Sequence, residues 1–243
     1  MSQRALNGPS RRQTQHKSRV LQPVVALFHA VALAWYSFVW LWHFLSIRAR
    51  FLPGFRGFGL YFRYLTFYSY TLQLLQLVAA SFSHIVQGER RYAWVEETAD
   101  DLSCAVFGLA NVVTCMFYLI DATTKDVVEG GSAVAEQRPP WLGVSVHVIN
   151  SMVAWLDILL SQPRSFSRRS QLLSIGFAVF YLHWILLCSH INGSFPYPFL
   201  NKLPQPQGFL GVAIGGVVLF YCIFQLGKFV MTPIQRYKQQ KLA

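Results

Sequence analysis

A threonine hydroxyl is a poor nucleophile at neutral pH, but a histidine within hydrogen-bond reach can take its proton and make it reactive. Thr66 and His147 are of these two types. Thr66 lies in the first turn of one apolar run, and His147 lies about 9 Å into another at the rise of a helix. They can pair if the two runs are neighbouring helices. The alternative for a threonine in an apolar helix is a bond to the carbonyl one turn back. Other polar residues interrupt the apolar runs as well: His29, His43, His84, Asn111, Asn150, Asp157, His183 and His190. Polar groups in hydrocarbon are costly, and they serve either as functional groups or as hydrogen bonds between helices. Thr66, Tyr70 and Gln73 form one helical stripe, and His147, Asn150 and Asp157 form another. The histidines lack spacings such as H-x-x-H-H or H-E-x-x-H, which disfavours a metal-dependent membrane oxidase. No metal or cofactor is expected.

The elements that must carry these residues are apolar runs of nineteen or more residues, at 24–47, 64–87, 102–120, 141–160, 171–191 and 208–227. A helix of about 20 residues crosses the roughly 30 Å hydrocarbon core. Hydrophobic residues make up 53% of the 243-residue chain and charged residues 13%, too few of the latter to cover a soluble globule. Asp157 alone among the Asp, Glu, Lys and Arg residues falls inside a run. A charge at the bilayer centre costs about 2.5 kcal/mol or more, which explains that segregation. The expected fold is an all-α membrane bundle of six transmembrane helices. Gly211 and Gly215, at i, i+4 in the last run, have the spacing that lets helices pack closely, here expected within the chain.

The net charge of +11 does not indicate nucleic acid, because the basic residues sit in short flanks between runs. There they set topology and meet anionic head groups. With six spans both termini share a side. That side collects twice as many Lys and Arg as the other, so both ends are expected in the cytosol. The expected organisation is a disordered basic cytosolic tail at 1–22, a six-span membrane domain at 23–230 and a basic cytosolic tail at 231–243. The first tail also has the composition of a mitochondrial presequence, but it runs straight into a span that anchors it. The loop 121–140 is too short for a soluble catalytic domain, so any chemistry belongs among the helices.

Three segments carry a resemblance. They are Phe62-Arg63-Tyr64-Leu65-Thr66-Phe67, then Trp141-Leu142 followed by His147 and Asp157, then His190-Ile191-Asn192-Gly193 running into Tyr197-Pro198-Phe199-Leu200. In that order, at those helix positions, they resemble the androgen-induced protein family, which includes the androgen-dependent regulator of tissue factor pathway inhibitor. The likeness spans roughly residues 55–209. It implies a six-span membrane protein, and some members are threonine hydrolases that cleave fatty acid esters of hydroxy fatty acids. It implies Thr66 as the nucleophile and His147 as the general base. Asp157 stands where the family pattern has a glutamate. With Arg164, Arg168 and Arg169 just beyond it, a structural ion pair is expected there rather than a catalytic role.

The expected activity is therefore carboxylic ester hydrolysis on a lipid substrate that enters from the bilayer. His190, Asn192 and Asn111 are the candidate oxyanion or supporting groups. The expected location is the endoplasmic reticulum or plasma membrane. The rival readings are a non-catalytic membrane regulator or adaptor of the same family, and a channel or transporter. The last needs a polar path through the whole bilayer, and the inner half offers few polar groups.

Overall fold

The computed structural model describes residues 9–86, 90–124, 139–161 and 166–240, and every described segment of regular structure is helical. The chain folds as α1 (Pro9–Leu45), α2 (Leu65–Val86), α3 (Ala93–Thr124), α4 (Pro140–Leu160), α5 (Arg168–Asn192), the short α6 (Pro198–Lys202) and α7 (Gln207–Gln240). Residues 1–8 of the expected N-terminal tail, most of the loop expected at 121–140, and 241–243 lie outside the described residues. α1 already begins at Pro9, inside the segment read as a tail. α7 continues through Pro233 to Gln240, past the boundary expected at 230. Proline removes one N–H from the ladder, and near the polar end of a helix water or head groups can satisfy the freed carbonyl.

Among the described residues five helices are long and apolar enough to cross a membrane: Pro23–Leu45, Ala93–Ile120, Pro140–Leu160, Arg168–Asn192 and Gln207–Ile234. α2 has the length but not the hydropathy, because Ser69, Tyr70, Gln73, Gln76 and His84 dilute its apolar residues. Its place in the bundle explains this. α2 packs between α1 and α3, and Ser69, Tyr70, Gln73 and Gln76 are all buried against them and α4. α3 is the other central helix. The apolar window of α3 is 61% buried, against 11% for α7, which therefore lies at the periphery.

Packing is organised in three clusters. Phe107 of α3, Ile158 of α4 and Phe224 and Met231 of α7 close around Phe166. Tyr36 of α1 stacks on Tyr70 of α2 with ring centroids 4.1 Å apart, between Val39, Leu77, Leu142 and Val146. The Tyr36 hydroxyl donates to Asn150 of α4 at 2.9 Å, so this buried ring keeps a partner. Tyr181, Ile185, Leu200 and Phe209 join α5 to α6 and α7. The close approach of α7 is not at Gly211 and Gly215, where an added Cβ would meet nothing within 4 Å. It is at Gly108 and Gly227, where a Cβ would lie 2.7 Å from the Phe220 ring and 2.6 Å from Phe166.

The segment between α1 and α2 folds back over one end of the bundle in short 3₁₀ turns at Arg48–Phe51, Pro53–Phe55 and Leu60–Arg63. The Tyr61 hydroxyl donates to the Ala49 carbonyl at 2.6 Å. Gly57 and Gly59 have φ of 83° and 84°, the left-handed region that suits glycine.

Candidate active site

Asp157 is fully buried among side chains of α1, α2 and α3. Its carboxylate accepts from His29 Nε2 of α1 at 2.7 Å, Gln76 Nε2 of α2 at 3.2 Å and Ser161 Oγ at 2.8 Å, and also from Ser103 of α3. His29 Nδ1 lies 2.8 Å from His84 Nε2. Of the arginines expected to pair with it, Arg164 lies outside the described residues. Arg169 instead pairs with Asp101 of α3 at 3.4 Å. The sequence places these residues at one depth but carries no azimuth, and the azimuth decides the partner.

At the opposite end of the bundle, where α2 and α4 begin, lies a cavity of about 340 Å³. Its walls come from α2, α3, α4, α5, the α6 region and α7. Thr66, His147, Tyr181 and Tyr197 are its polar side chains, and the rest of its wall is apolar. Helix register orders it. Thr66, His147 and Tyr197 stand near the end where α2 starts. Along α3, Leu109 stands about 12 Å beyond Phe117, the ring stacked on His147, and Phe220 stands about 20 Å from the start of α7. A second cavity of about 220 Å³ lies under the folded-back loop, lined by His43, Tyr61, Tyr64 and Leu142 among others. Thr66 and His147 belong to the walls of both.

His147 sits in a π-helical turn, Ser145–Ile149, within α4. Ser145 Oγ donates back to the Trp141 carbonyl at 2.7 Å, which accepts from the Ser145 N–H as well. The wide turn leaves the His147 carbonyl to accept from Thr114 Oγ1 of α3 at 2.5 Å. The imidazole stacks on Phe117 with centroids 3.7 Å apart and planes at 16°, so its plane is set by α3.

Thr66 is half-buried in the first turn of α2. The Leu65 N–H donates to the Tyr197 hydroxyl at 2.7 Å, and that hydroxyl lies 3.2 Å from Tyr181 Oη. Tyr181 in turn donates to the Arg63 carbonyl at 3.0 Å. The start of α2 is therefore pinned by two tyrosines from α5 and the segment after it. Among the described residues, the N–H groups of Thr66 and Phe67 have no hydrogen-bond partner, as befits a first helical turn. No direct hydrogen bond joins Thr66 to His147 among the described residues.

The three supporting candidates lie elsewhere. The Asn111 amide donates to Phe107 and its oxygen accepts from Ser151 at 2.5 Å and Trp155 at 2.8 Å, so it is held between α3 and α4. Asn192 staples the folded-back loop to α5. It accepts from the Phe58 N–H at 2.8 Å and donates to the Phe58 carbonyl at 3.0 Å. His190 is exposed and off the cavity wall. Tyr181 and Tyr197 are the polar wall residues that sequence reasoning left unassigned. Tyr197-Pro198 was legible only as part of the third segment that carries the family resemblance, and nothing in its spacing indicates a bond to the start of α2.

Comparison with known proteins places this bundle. The family model described as FAR-17a/AIG1-like protein matches residues 24–232, nearly the whole helical region. The chain belongs to this family. A UPF0641 membrane protein of Schizosaccharomyces pombe is 25% identical to this FAR-17a/AIG1-like chain over 209 residues, covering 82% of the chain and 87% of the relative. No solved structure matches it. Together with its five apolar helices, these likenesses make the FAR-17a/AIG1-like chain a multi-pass membrane protein.

Proposed function

We propose that this chain is an intramembrane threonine hydrolase that cleaves the ester bond of fatty acid esters of hydroxy fatty acids. The observation that carries the reading is that Thr66 and His147 form a common wall between two cavities, the larger of them almost wholly apolar. A branched ester has two arms and one reactive carbonyl. With the carbonyl at that wall, one arm fits each cavity.

In this reading His147 removes the proton of Thr66 as its Oγ1 attacks the ester carbonyl. The oxyanion faces the Thr66 and Phe67 N–H groups and the positive end of the α2 dipole. His147 returns the proton to the departing alcohol, leaving an acyl-threonine. Water then attacks that ester, with His147 as base, and the fatty acid leaves. The step requires a side-chain rotation that brings the hydroxyl to the imidazole, a tightening common when an empty site takes up substrate. We place α2 as a sixth span, with both termini in the cytosol of an endoplasmic reticulum or plasma membrane protein. The lipid enters sideways from the bilayer.

One observation favours a non-catalytic regulator of the same family: the absence of a direct Thr66–His147 hydrogen bond. A covalent hydrolase probe separates the readings. Labelling of the intact protein that is lost in both Thr66→Ala and His147→Ala, and retained in Thr66→Ser, supports the hydrolase. An intact protein that takes no label and releases no acid supports the regulator.

A further inference from the structure

On α7, Phe209, Ala213, Gly216 and Phe220 recur at helical spacing and together form one wall of the larger cavity. Phe209 and Phe220 are buried and bracket the stripe. Between them Ala213 and Gly216 leave the wall low. The space beside Gly216 is empty, since a Cβ built there meets no atom within 4 Å. At Gly108 and Gly227 the missing side chain is explained by a neighbouring ring within 3 Å. At Gly216 no protein neighbour explains it. A glycine inside a helix is also unfavourable relative to almost any other residue, so the position gives up helix propensity without gaining a contact. What the glycine preserves is cavity volume, about 13 Å along α7 from its start at Gln207.

We infer that Gly216 sets the length of the acyl chain that the larger cavity accepts. The inference rests on the hydrolase reading for its link to turnover, but not for its link to binding. A chain whose carbonyl stands at Thr66 runs down the cavity between α3 and α7. Its distal methylenes pass the flat wall at Gly216 before reaching Phe220. In this inference a side chain at 216, whose Cβ meets no atom within 4 Å, projects into that path and shortens it while favouring the helix. Each methylene kept out of an apolar site weakens binding, so exclusion of two costs roughly tenfold in affinity.

The test compares wild type with Gly216→Leu and Gly216→Phe, and with Gly215→Leu as a control on the exposed side of the same helix. Hydrolysis is read with para-nitrophenyl butanoate, octanoate and hexadecanoate. Binding is read separately from the fluorescence of cis-parinaric acid displaced by hexadecanoate or octanoate. The expected result is a fall of roughly tenfold or more in kcat/KM for the hexadecanoate ester in both Gly216 variants, with the butanoate ester unchanged. Hexadecanoate binding falls in parallel, octanoate binding falls less, and Gly215→Leu resembles wild type. If no protein hydrolyses any ester but the Gly216 variants still lose hexadecanoate binding, the hydrolase reading fails and the chain-length role stands. If the Gly216 variants, with unchanged melting temperature, bind and cleave the long chain as wild type does, the inference is overturned.

Discussion

Replacing Asp157 by alanine removes the acceptor shared by His29, Gln76, Ser103 and Ser161, drawn from all of α1 to α4. The serine hydroxyls can turn to a carbonyl of their own helix, so they recover most of their loss. The Gln76 N–H cannot, His29 Nε2 keeps only Ser161 Oγ at 3.5 Å, and a buried donor left unmet costs about 1–3 kcal/mol. Removing one partner of a buried pair costs about 3–5 kcal/mol in other proteins, and we expect a loss in that range. At about 2–4 °C per kcal/mol for a chain of this size, the melting temperature falls by roughly 10 °C. Asp157→Asn is milder, because one oxygen still accepts from His29 and Ser161 while the new amide faces the Gln76 amide. We expect about 1–3 kcal/mol there. Cys104 and Cys188 are buried, and Cys115 and Cys222 are exposed. In a Cys115→Ser, Cys222→Ser background in detergent micelles, a thiol-reactive dye then reports unfolding on heating. An Asp157→Ala protein that melts within about 2 °C of its parent refutes the claim that this acid ties the four helices together.

Four further outcomes follow from the same geometry. Burial pushes the Tyr197 hydroxyl up to about 12, above its usual value of about 10. Its neutral form is therefore favoured in the folded state, and the stability it confers is present below about pH 10 and lost as pH rises through about 12. Melting curves across that window should fall in wild type and fall less in Tyr197→Phe, which starts lower because Leu65 has lost its acceptor. Phe117→Ala removes the ring stacked on His147, worth about 0.5–1.5 kcal/mol in such pairs, and under the proposed hydrolase reading lowers kcat more than it raises KM. Gly227→Ala would place a Cβ 2.6 Å from Phe166 and 2.7 Å from Phe107, and should destabilise by about 1–3 kcal/mol in the same melting assay. Asn192→Ala frees the folded-back loop from α5, and amide exchange should speed up at Phe58 while the helices keep their protection.

Depth along each helix was legible in the sequence, and rotation about its axis was not. Charge segregation and run length located the apolar helices because the cost of burying a charge acts on every residue alone. The sharing of one wall by Thr66 and His147 agrees with a depth argument. Asn111 shows where such an argument stops. It lies near His147 in depth but faces Ser151 and Trp155, between α3 and α4. Asp157 likewise accepts from His29 of α1, a partner that no local pattern indicates. α2 hides for a different reason. Its buried face carries Ser69, Tyr70, Gln73 and Gln76, which lower its mean hydropathy, while Leu75, Val78, Phe82 and Ile85 keep an apolar outer face. The π-helical turn and the tyrosine pins at the start of α2 depend on contacts between distant segments, and no local pattern announces them.

The wide turn at Ser145–Ile149 amounts to a helix carrying one surplus residue. Shortening α4 by a single position within it would let the turn relax to ordinary α geometry. The stretch from Pro140 onward would then swing by about 100° relative to the part below, since each residue of an α-helix advances by that angle. The imidazole would leave the shared wall while Asp157 and its partners stayed in place. One half of α4 answers to the lower polar cluster and the other to the cavities, and this turn allows the two facings to coexist on one helix.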